Sequence, residues 1–125
     1  MFERIDHVAF TVKDRNTSIR FYEEHFGFQA YFEHDIPDPR MEKIVYLKLG
    51  DTVLELMHNP KGESNSGYHF CLISNDFAGD YDRLVAAGVE VLQPPHSPAP
   101  RTSSEEGWQR VVFRGPDDEK IEIRG

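Results

Sequence analysis

The sequence predicts an α+β fold built from two βαβββ modules, because the same order of strands and helices occurs twice. In each half a histidine precedes a helix-capping aspartate by seven residues, at His7 and Asp14 and again at His69 and Asp76. The two histidines lie 62 residues apart, and an internal repeat of this length outweighs a simple count of strands. The predicted segments are module 1 at about 4–58, a polar linker at 59–67 and module 2 at about 68–125.

Module 1 begins with a strand at 4–12, where polar and apolar residues alternate as in a sheet with one buried face. Asp14 or Asn16 can accept the free amide hydrogens that open the following helix, and Gly27 supplies a left-handed stop. Three further strands are expected at 28–34, 43–49 and 52–58, separated by the Pro37-Asp38-Pro39 stretch and the Gly50-Asp51 turn.

Module 2 repeats this order after the linker. A strand at 68–74 leads into a helix that Asp76 or Asp80 can cap and that stops at Gly88. The apolar positions of this helix are Tyr81, Leu84 and Val85. The remaining strands are expected at 89–93, 108–113 and 119–124, with a proline- and serine-rich loop at 94–107.

Composition excludes several classes of protein. The 125 residues are enough for one domain, and a net charge of −8 argues against a nucleic-acid-binding protein, which needs a positive surface. Cys71 is the only cysteine, so neither an intrachain disulfide nor a cysteine-based zinc cluster can form. The sequence has no apolar run of about 20 residues to span a membrane, and its first residues lack the layout of a signal peptide. We therefore expect a cytoplasmic protein.

Four polar residues interrupt apolar strands, and by alternation each points away from the apolar face of its strand: His7, Glu55, His69 and Glu122. Glu55 stands between two leucines and Glu122 between two isoleucines, so each points away from the face that packs on the helix. A carboxylate in such a strand is costly to bury unless a cation compensates it. Two imidazoles and two carboxylates suit Zn²⁺, Ni²⁺, Co²⁺, Mn²⁺ or Fe²⁺, so these residues are candidate ligands of one divalent metal ion.

Taken singly, each of these residues has an ordinary explanation, since strand histidines are usually hydrogen-bonded structural residues and strand glutamates usually face water. The prediction depends on the joint pattern, in which a histidine opens and a glutamate closes each repeat. The other histidines lack this pattern and are expected at the surface: His25, His34, His58 and His96.

Other residues near the closing strands are harder to assign. Cys71 shares the face of His69 and could line a cavity, although a small apolar filler is the preferred interpretation. Four cationic residues cluster in this region, and we expect them to be solvated charges of an acidic protein, with an anionic substrate as the alternative. They are Arg110, Arg114, Lys120 and Arg124.

Several stretches together resemble the vicinal oxygen chelate superfamily, which contains glyoxalase I, methylmalonyl-CoA epimerase, extradiol dioxygenases and fosfomycin and bleomycin resistance proteins. They cover nearly the whole chain: His7-Val8-Ala9-Phe10-Thr11-Val12 with Asp14, Ser18-Ile19-Arg20-Phe21-Tyr22, Phe26-Gly27-Phe28, Leu54-Glu55-Leu56, the strand from His69, Ala87-Gly88-Val89, Phe113-Arg114-Gly115-Pro116-Asp117 and Ile121-Glu122-Ile123. One departure is Gly115-Pro116-Asp117-Asp118, where the family usually has Asp-Pro-Asp-Gly.

The resemblance implies two βαβββ modules whose curved mixed sheets enclose a metal cavity, commonly in a homodimer. It also implies a small-molecule substrate. Bleomycin-binding members generally lack the ligands, and dioxygenases and fosfomycin-modifying enzymes have no carboxylate at the position of Glu55. A His-Glu-His-Glu set resembles glyoxalase I best, with methylmalonyl-CoA epimerase close behind.

The same resemblance implies roles for the two glutamates. Glu122 is expected to remove the C1 proton from the hemithioacetal of methylglyoxal and a thiol, next to a metal-polarised carbonyl, and Glu55 to help return a proton at C2. The alternatives are an epimerase of an acyl-CoA and a protein that binds a small molecule without turning it over.

Overall fold

The computed structural model describes residues 1, 3–38, 41–65 and 67–125. Within them, eight strands, two α-helices and one short 3₁₀ helix form two compact units, Met1–Asn65 (unit 1) and Ser66–Gly125 (unit 2). No helix in this part of the chain is both long and apolar enough to cross a membrane. Pro39 of the predicted separator and Ser66 of the predicted linker lie outside the described residues.

Unit 1 contains a strand, a helix and three further strands. Their bounds are β1 (Val8–Val12), α1 (Arg15–Phe26), β2 (Gln29–Asp38), β3 (Met41–Leu49) and β4 (Thr52–His58). The sheet order is β1-β4-β3-β2. β1 runs parallel to β4, while β3 is antiparallel to both of its neighbours. The first and last strands of the unit are therefore adjacent, with Ala9 opposite Glu55.

Unit 2 has the same order of elements. Their bounds are β5 (His69–Ile73), α2 (Phe77–Ala86), β6 (Val91–His96), the 3₁₀ helix Ser103–Glu105, β7 (Arg110–Arg114) and β8 (Lys120–Arg124). The sheet order is β5-β8-β7-β6, and β5 runs parallel to β8 with Cys71 opposite Glu122. The predicted α+β fold with two βαβββ modules and mixed sheets is confirmed.

Helix α1 covers one face of the first sheet. Asp14, rather than Asn16, caps it by accepting a hydrogen bond from the amide of Thr17 at 2.9 Å, and Gly27 ends it with a φ of 74°. Tyr22 is fully buried, and its ring meets that of Phe10 in β1 at 6.1 Å. Because neighbouring strand residues point to opposite faces, β-strand residues of the other parity lie on the face that α1 leaves open.

Helix α2 is built in a similar way, with one departure from prediction. Asp76 caps it through the amide of Gly79, and Leu84 is fully buried. Val85 was expected to share this apolar face but is 44% exposed. A helix turns by about 100° per residue, so with Leu84 at the centre of the buried face Val85 lies toward its edge and is partly exposed.

Strand ends differ from the predicted ones. The strand at 4–12 begins only at Val8, so His7 immediately precedes β1. β2 continues through Pro37 and β6 through Pro94 and Pro95, although prolines were expected to end both strands. Both strands lie at a sheet edge and have register shifts near these prolines. Edge strands and bulges tolerate proline, because no partner needs its missing amide hydrogen.

The turn between β7 and β8 explains the departure from the family motif. A side chain at Gly115 would collide with the carboxyl group of Glu119, which is fully buried. Asp118 takes the left-handed conformation, with a φ of 66°, and accepts a hydrogen bond from Arg114 at 2.9 Å. Aspartate is among the few residues that adopt this conformation readily. Relative to the family motif, glycine and aspartate have exchanged the first and fourth positions of the turn, and the aspartate at the fourth takes the left-handed conformation.

Candidate metal centre

His7 and Glu55, the first pair of candidate residues, are in direct contact. His7 Nε2 lies 2.8 Å from Glu55 Oε2. The contact follows from the adjacency of β1 and β4, since His7 is the residue just before β1. Glu55 is 7% exposed, while the side chain of His7 is 36% exposed. The pair therefore combines a buried carboxylate with an imidazole that solvent can reach.

Asp6 orients the imidazole of His7 from the other side. His7 Nδ1 donates to Asp6 Oδ2 at 2.9 Å. This hydrogen bond, together with the negative charge of Glu55, raises the pKa of His7 above its usual 6.5. With Nδ1 bonded to Asp6, Nε2 is the nitrogen that faces Glu55 and the one available to a metal ion. Asp6 was missed by the sequence reasoning, although its position next to His7 was a usable signal.

Tyr46 contacts Glu55 from the neighbouring strand β3, where it is the register partner of that residue. Burial and the negative charge of Glu55, which also accepts a hydrogen bond from the hydroxyl, raise the pKa of Tyr46. The ring of His7 meets Tyr46 edge-on at 6.1 Å, and His34 stacks on Tyr46 at 6.1 Å. Tyr46 therefore contacts both members of the first pair, and His34 stacks on its ring.

His69 and Glu122, the second pair, are built on the equivalent strands of unit 2. His69 is the first residue of β5, and Glu122 lies in the parallel neighbour β8. His69 Nε2 lies 3.4 Å from Glu122 Oε2, and the side chain of His69 is 56% exposed. Glu122 is 6% exposed. Each unit thus presents a histidine at or just before the start of its first strand and a buried glutamate in its last strand.

Arg110 is a partner of Glu122 that sequence reasoning assigned to solvent. Its Nη2 donates to Glu122 Oε2 at 2.9 Å, and its Nη1 donates to Gln93 Oε1. Burial raises the pKa of Glu122, but the hydrogen bond and charge of Arg110, aided by His69, outweigh it and lower the pKa overall. The Glu122 carboxyl is therefore held ionised.

A second buried ion cluster lies in the loop before β7. Glu105 accepts hydrogen bonds from the backbone amide of Arg101 at 2.8 Å and from its Nε at 2.9 Å. Arg124, only 7% exposed, reaches Glu105 at 3.5 Å. Arg101 in particular lowers the pKa of Glu105 to about 2. The predicted solvation was thus wrong for Arg110 and for Arg124.

The other residues singled out in the sequence have lesser roles. Arg114 pairs with Glu90 and with the turn residue Asp118, and Lys120 is exposed. Cys71 is an exposed residue, but partial desolvation of its thiol and the charge of Glu122 raise the pKa of that thiol to about 11. The remaining histidines belong to neither pair and are exposed or half-buried: His25, His34, His58 and His96.

The donor chemistry of both pairs fits a divalent metal ion. Each pair brings an imidazole nitrogen and a carboxylate oxygen together, a donor set that suits the first-row divalent metals. The positive charge of an ion would also compensate the buried carboxylate of each pair. Among the residues that the structure describes, no group of three or more His, Cys, Asp or Glu could hold a metal by itself. Within these residues, the four predicted ligands are thus brought together only as two pairs.

Comparisons with known proteins give one family. The model of the Glyoxalase/Bleomycin resistance protein/Dioxygenase superfamily matches residues 4–123. An ethylmalonyl-CoA/methylmalonyl-CoA epimerase of Cereibacter sphaeroides is 30% identical over 104 residues, which cover 74% of this chain and 76% of that protein.

Solved structures agree in fold. A glyoxalase family protein from Enterococcus faecalis has a TM-score of 0.82 at 22% identity, covering 99% of this chain and 98% of the other. A mutant of the fosfomycin resistance protein FosX from Listeria monocytogenes, complexed with Mn(II) and 1S,2S-dihydroxypropylphosphonic acid, has a TM-score of 0.76 at 18% identity. The match covers 100% of this chain and 93% of FosX.

Proposed function

Because this chain belongs to the Glyoxalase/Bleomycin resistance protein/Dioxygenase superfamily, we propose that it is a metal-dependent, glyoxalase I-like enzyme that transfers a proton next to a carbonyl group. Its metal ligands are His7, Glu55, His69 and Glu122. The observation that carries this proposal is one repeated arrangement: a buried glutamate in the last strand of each unit contacts a histidine at or just before the start of the first strand. Together the four proposed ligands make a nitrogen and oxygen donor set that suits one divalent ion.

Glu122 is the base of the proposed reaction. When bound, the metal polarises the substrate oxygens and so acidifies the neighbouring C–H bond. Arg110 keeps the Glu122 carboxylate ionised and aimed by its hydrogen bond at 2.9 Å. Glu122 then accepts the proton from C1 of a hemithioacetal formed by methylglyoxal and a thiol, and Glu55 helps return a proton at C2. Tyr46 and His7 hold Glu55 in place for this step.

Several metals fit this donor set, and we propose Ni²⁺, Co²⁺, Zn²⁺, Mn²⁺ or Fe²⁺. The Mn(II) complex of the FosX mutant supports a divalent ion, because that protein shares the fold. We further propose a small-molecule substrate and a homodimeric assembly. The ligands then come either from one chain or from the two chains of the dimer.

Replacement of the proposed base tests the function directly. In a hemithioacetal assay with added metal, Glu122→Gln is expected to lower the rate about a hundredfold or more, the usual contribution of a general base. Glu106→Gln is the matched control, because Glu106 is an exposed glutamate of the same unit. Metal content is measured alongside, to separate loss of the base from loss of the ion. Full activity in metal-loaded Glu122→Gln would contradict the assignment.

An epimerase of an acyl-CoA is the second candidate, favoured by the 30% identity to the Cereibacter sphaeroides epimerase. It uses the same carboxylates on a different carbon acid. Incubation with methylmalonyl-CoA in heavy water would exchange deuterium into the α-carbon only if this candidate is correct. A protein that binds a small molecule without turnover would show stoichiometric binding and no isotope exchange with either substrate.

A further inference from the structure

Unit 2 contains a cavity of about 460 Å³ next to the second pair. Two of its lining residues, His69 and Arg110, contact Glu122 directly. The complete lining is His69, Leu92, Gln93, Arg110, Val112 and Lys120. A cavity of this volume is in the range of small-molecule sites. It carries two permanent cations, one imidazole and no carboxylate of its own.

The charge of Lys120 is unbalanced within the cavity. Lys120 is exposed and makes no ion pair with any residue in the described ranges. Its cross-strand register partners are His69 on one side and Arg114 on the other, so no acidic side chain faces it across the sheet. Lys43 of unit 1, by contrast, forms an ion pair with Glu33 at 3.2 Å. Lys120 and Arg110 line the same cavity, so the positive charge of Lys120 is available to a bound molecule.

Arg110 and Gln93 extend the set of donors. The guanidinium uses one nitrogen for Glu122 and another for Gln93, and it still has further N–H groups to offer. The amide oxygen of Gln93 is occupied by Arg110, which leaves its NH₂ group as a donor. The polar lining therefore consists mainly of hydrogen-bond donors, while Leu92 and Val112 supply an apolar wall.

We propose that this cavity binds an oxyanion group, a carboxylate or a phosphate, with Lys120 and Arg110 as its contacts. As a statement about substrate, this rests on the proposed function: the molecule that reacts at Glu122 carries an anionic oxygen group on one side of the reacting carbon. The apolar wall takes the adjoining carbon atoms. Lys120 determines specificity here, and Arg110 both contacts the anion and positions Glu122.

Binding of simple anions tests the cavity without metal or turnover. The full chain, treated with a chelator, is titrated with inorganic phosphate and separately with acetate while backbone amide resonances are followed by NMR. Shifts are expected in β6, β7 and β8. Binding of at least one anion is expected to weaken about fivefold in Lys120→Gln, the usual effect of losing one partly exposed ion pair. Lys61→Gln, an exposed lysine of unit 1, should match the wild type. Equal affinities in Lys120→Gln and wild type would overturn the proposal.

A kinetic comparison tests the link to substrate. Hemithioacetals of methylglyoxal are formed with 3-mercaptopropionate, which carries a carboxylate, and with neutral 2-mercaptoethanol. For the 3-mercaptopropionate hemithioacetal, Lys120→Gln is expected to raise KM about fivefold with kcat unchanged. For the 2-mercaptoethanol hemithioacetal, KM should stay as in wild type. Equal changes in KM for the two substrates would overturn the link between the cavity and the substrate. If neither is turned over by the wild type, the proposed function fails, while the anion titration still decides the cavity.

Discussion

The hydrogen bond between Asp6 and His7 gives a prediction at the scale of single residues. Because it favours the protonated imidazole, Asp6→Asn is expected to lower the pKa of His7, which NMR titration of the ring protons measures. The pKa of His7 is raised in the folded chain, so its stabilising effect is fully present below about pH 6.5 and is lost as pH rises through the raised value. Asp82→Asn, an exposed aspartate of unit 2, is the control. An unchanged midpoint in Asp6→Asn would contradict the assignment.

The residues around the two pairs show which contacts can be predicted from sequence. Strand parity and the internal repeat were enough to single out His7 and Glu55, which the structure places 2.8 Å apart. Arg110 could not be assigned in this way, because its contact with Glu122 depends on the register between β7 and β8 and on side-chain direction. From its charge alone, Arg110 was expected to be exposed to solvent. The same applies to Tyr46, whose place opposite Glu55 follows from the β3–β4 register.

At the scale of elements, the loop before β7 is held by buried charge. Glu105 bonds to Arg101 and Arg124, and its pKa is about 2 instead of 4.5. A lowered carboxyl pKa stabilises the fold above the unfolded value, and this stability is lost as pH falls toward the folded value. Glu105→Gln is therefore expected to lower the unfolding midpoint at pH 7, with the difference from wild type shrinking between about pH 4.5 and 2.

Trp108 is a suitable probe of this loop. It is the only tryptophan of the chain, and its amide donates to the carbonyl of Glu105 at 3.1 Å. Its fluorescence during urea unfolding would report the difference between wild type and Glu105→Gln. Glu106→Gln controls for the loss of one exposed carboxylate next in sequence. A difference that stays constant from pH 7 to pH 2 would contradict the role of the ion cluster.

The edge strands show why element boundaries were less predictable than element types. Every predicted helix and strand is present, but β2 and β6 pass through prolines that were expected to end them. Proline is strong evidence against a central strand, but an edge strand tolerates it. Whether a strand is central or at an edge depends on the strand order of the sheet. Local composition does not reveal that order, so it could not predict where β2 and β6 end.

At the scale of the whole molecule, the repeat carries chemical information as well as fold. The two units present equivalent pairs in different surroundings: Tyr46 lies next to Glu55, and the cation Arg110 lies next to Glu122. Burial raises the pKa of Glu122, but the hydrogen bond and positive charge of Arg110 lower it overall, so this carboxylate is ionised at neutral pH. We therefore propose both glutamates as metal ligands and Glu122 as the proton acceptor.

Metal stoichiometry tests whether the two pairs act as one centre. If His7, Glu55, His69 and Glu122 share one ion, elemental analysis of the dialysed wild type should find at most one metal per chain. His7→Ala and His69→Ala should then each lose most of it, because removal of either histidine disrupts the same coordination shell. If the pairs bound metal independently, each variant would keep the ion of the other unit and lose only half. His96→Ala, in neither pair, should keep the wild-type content. Half-occupancy in both single variants would therefore show two separate sites, and full occupancy in both would exclude these histidines as ligands.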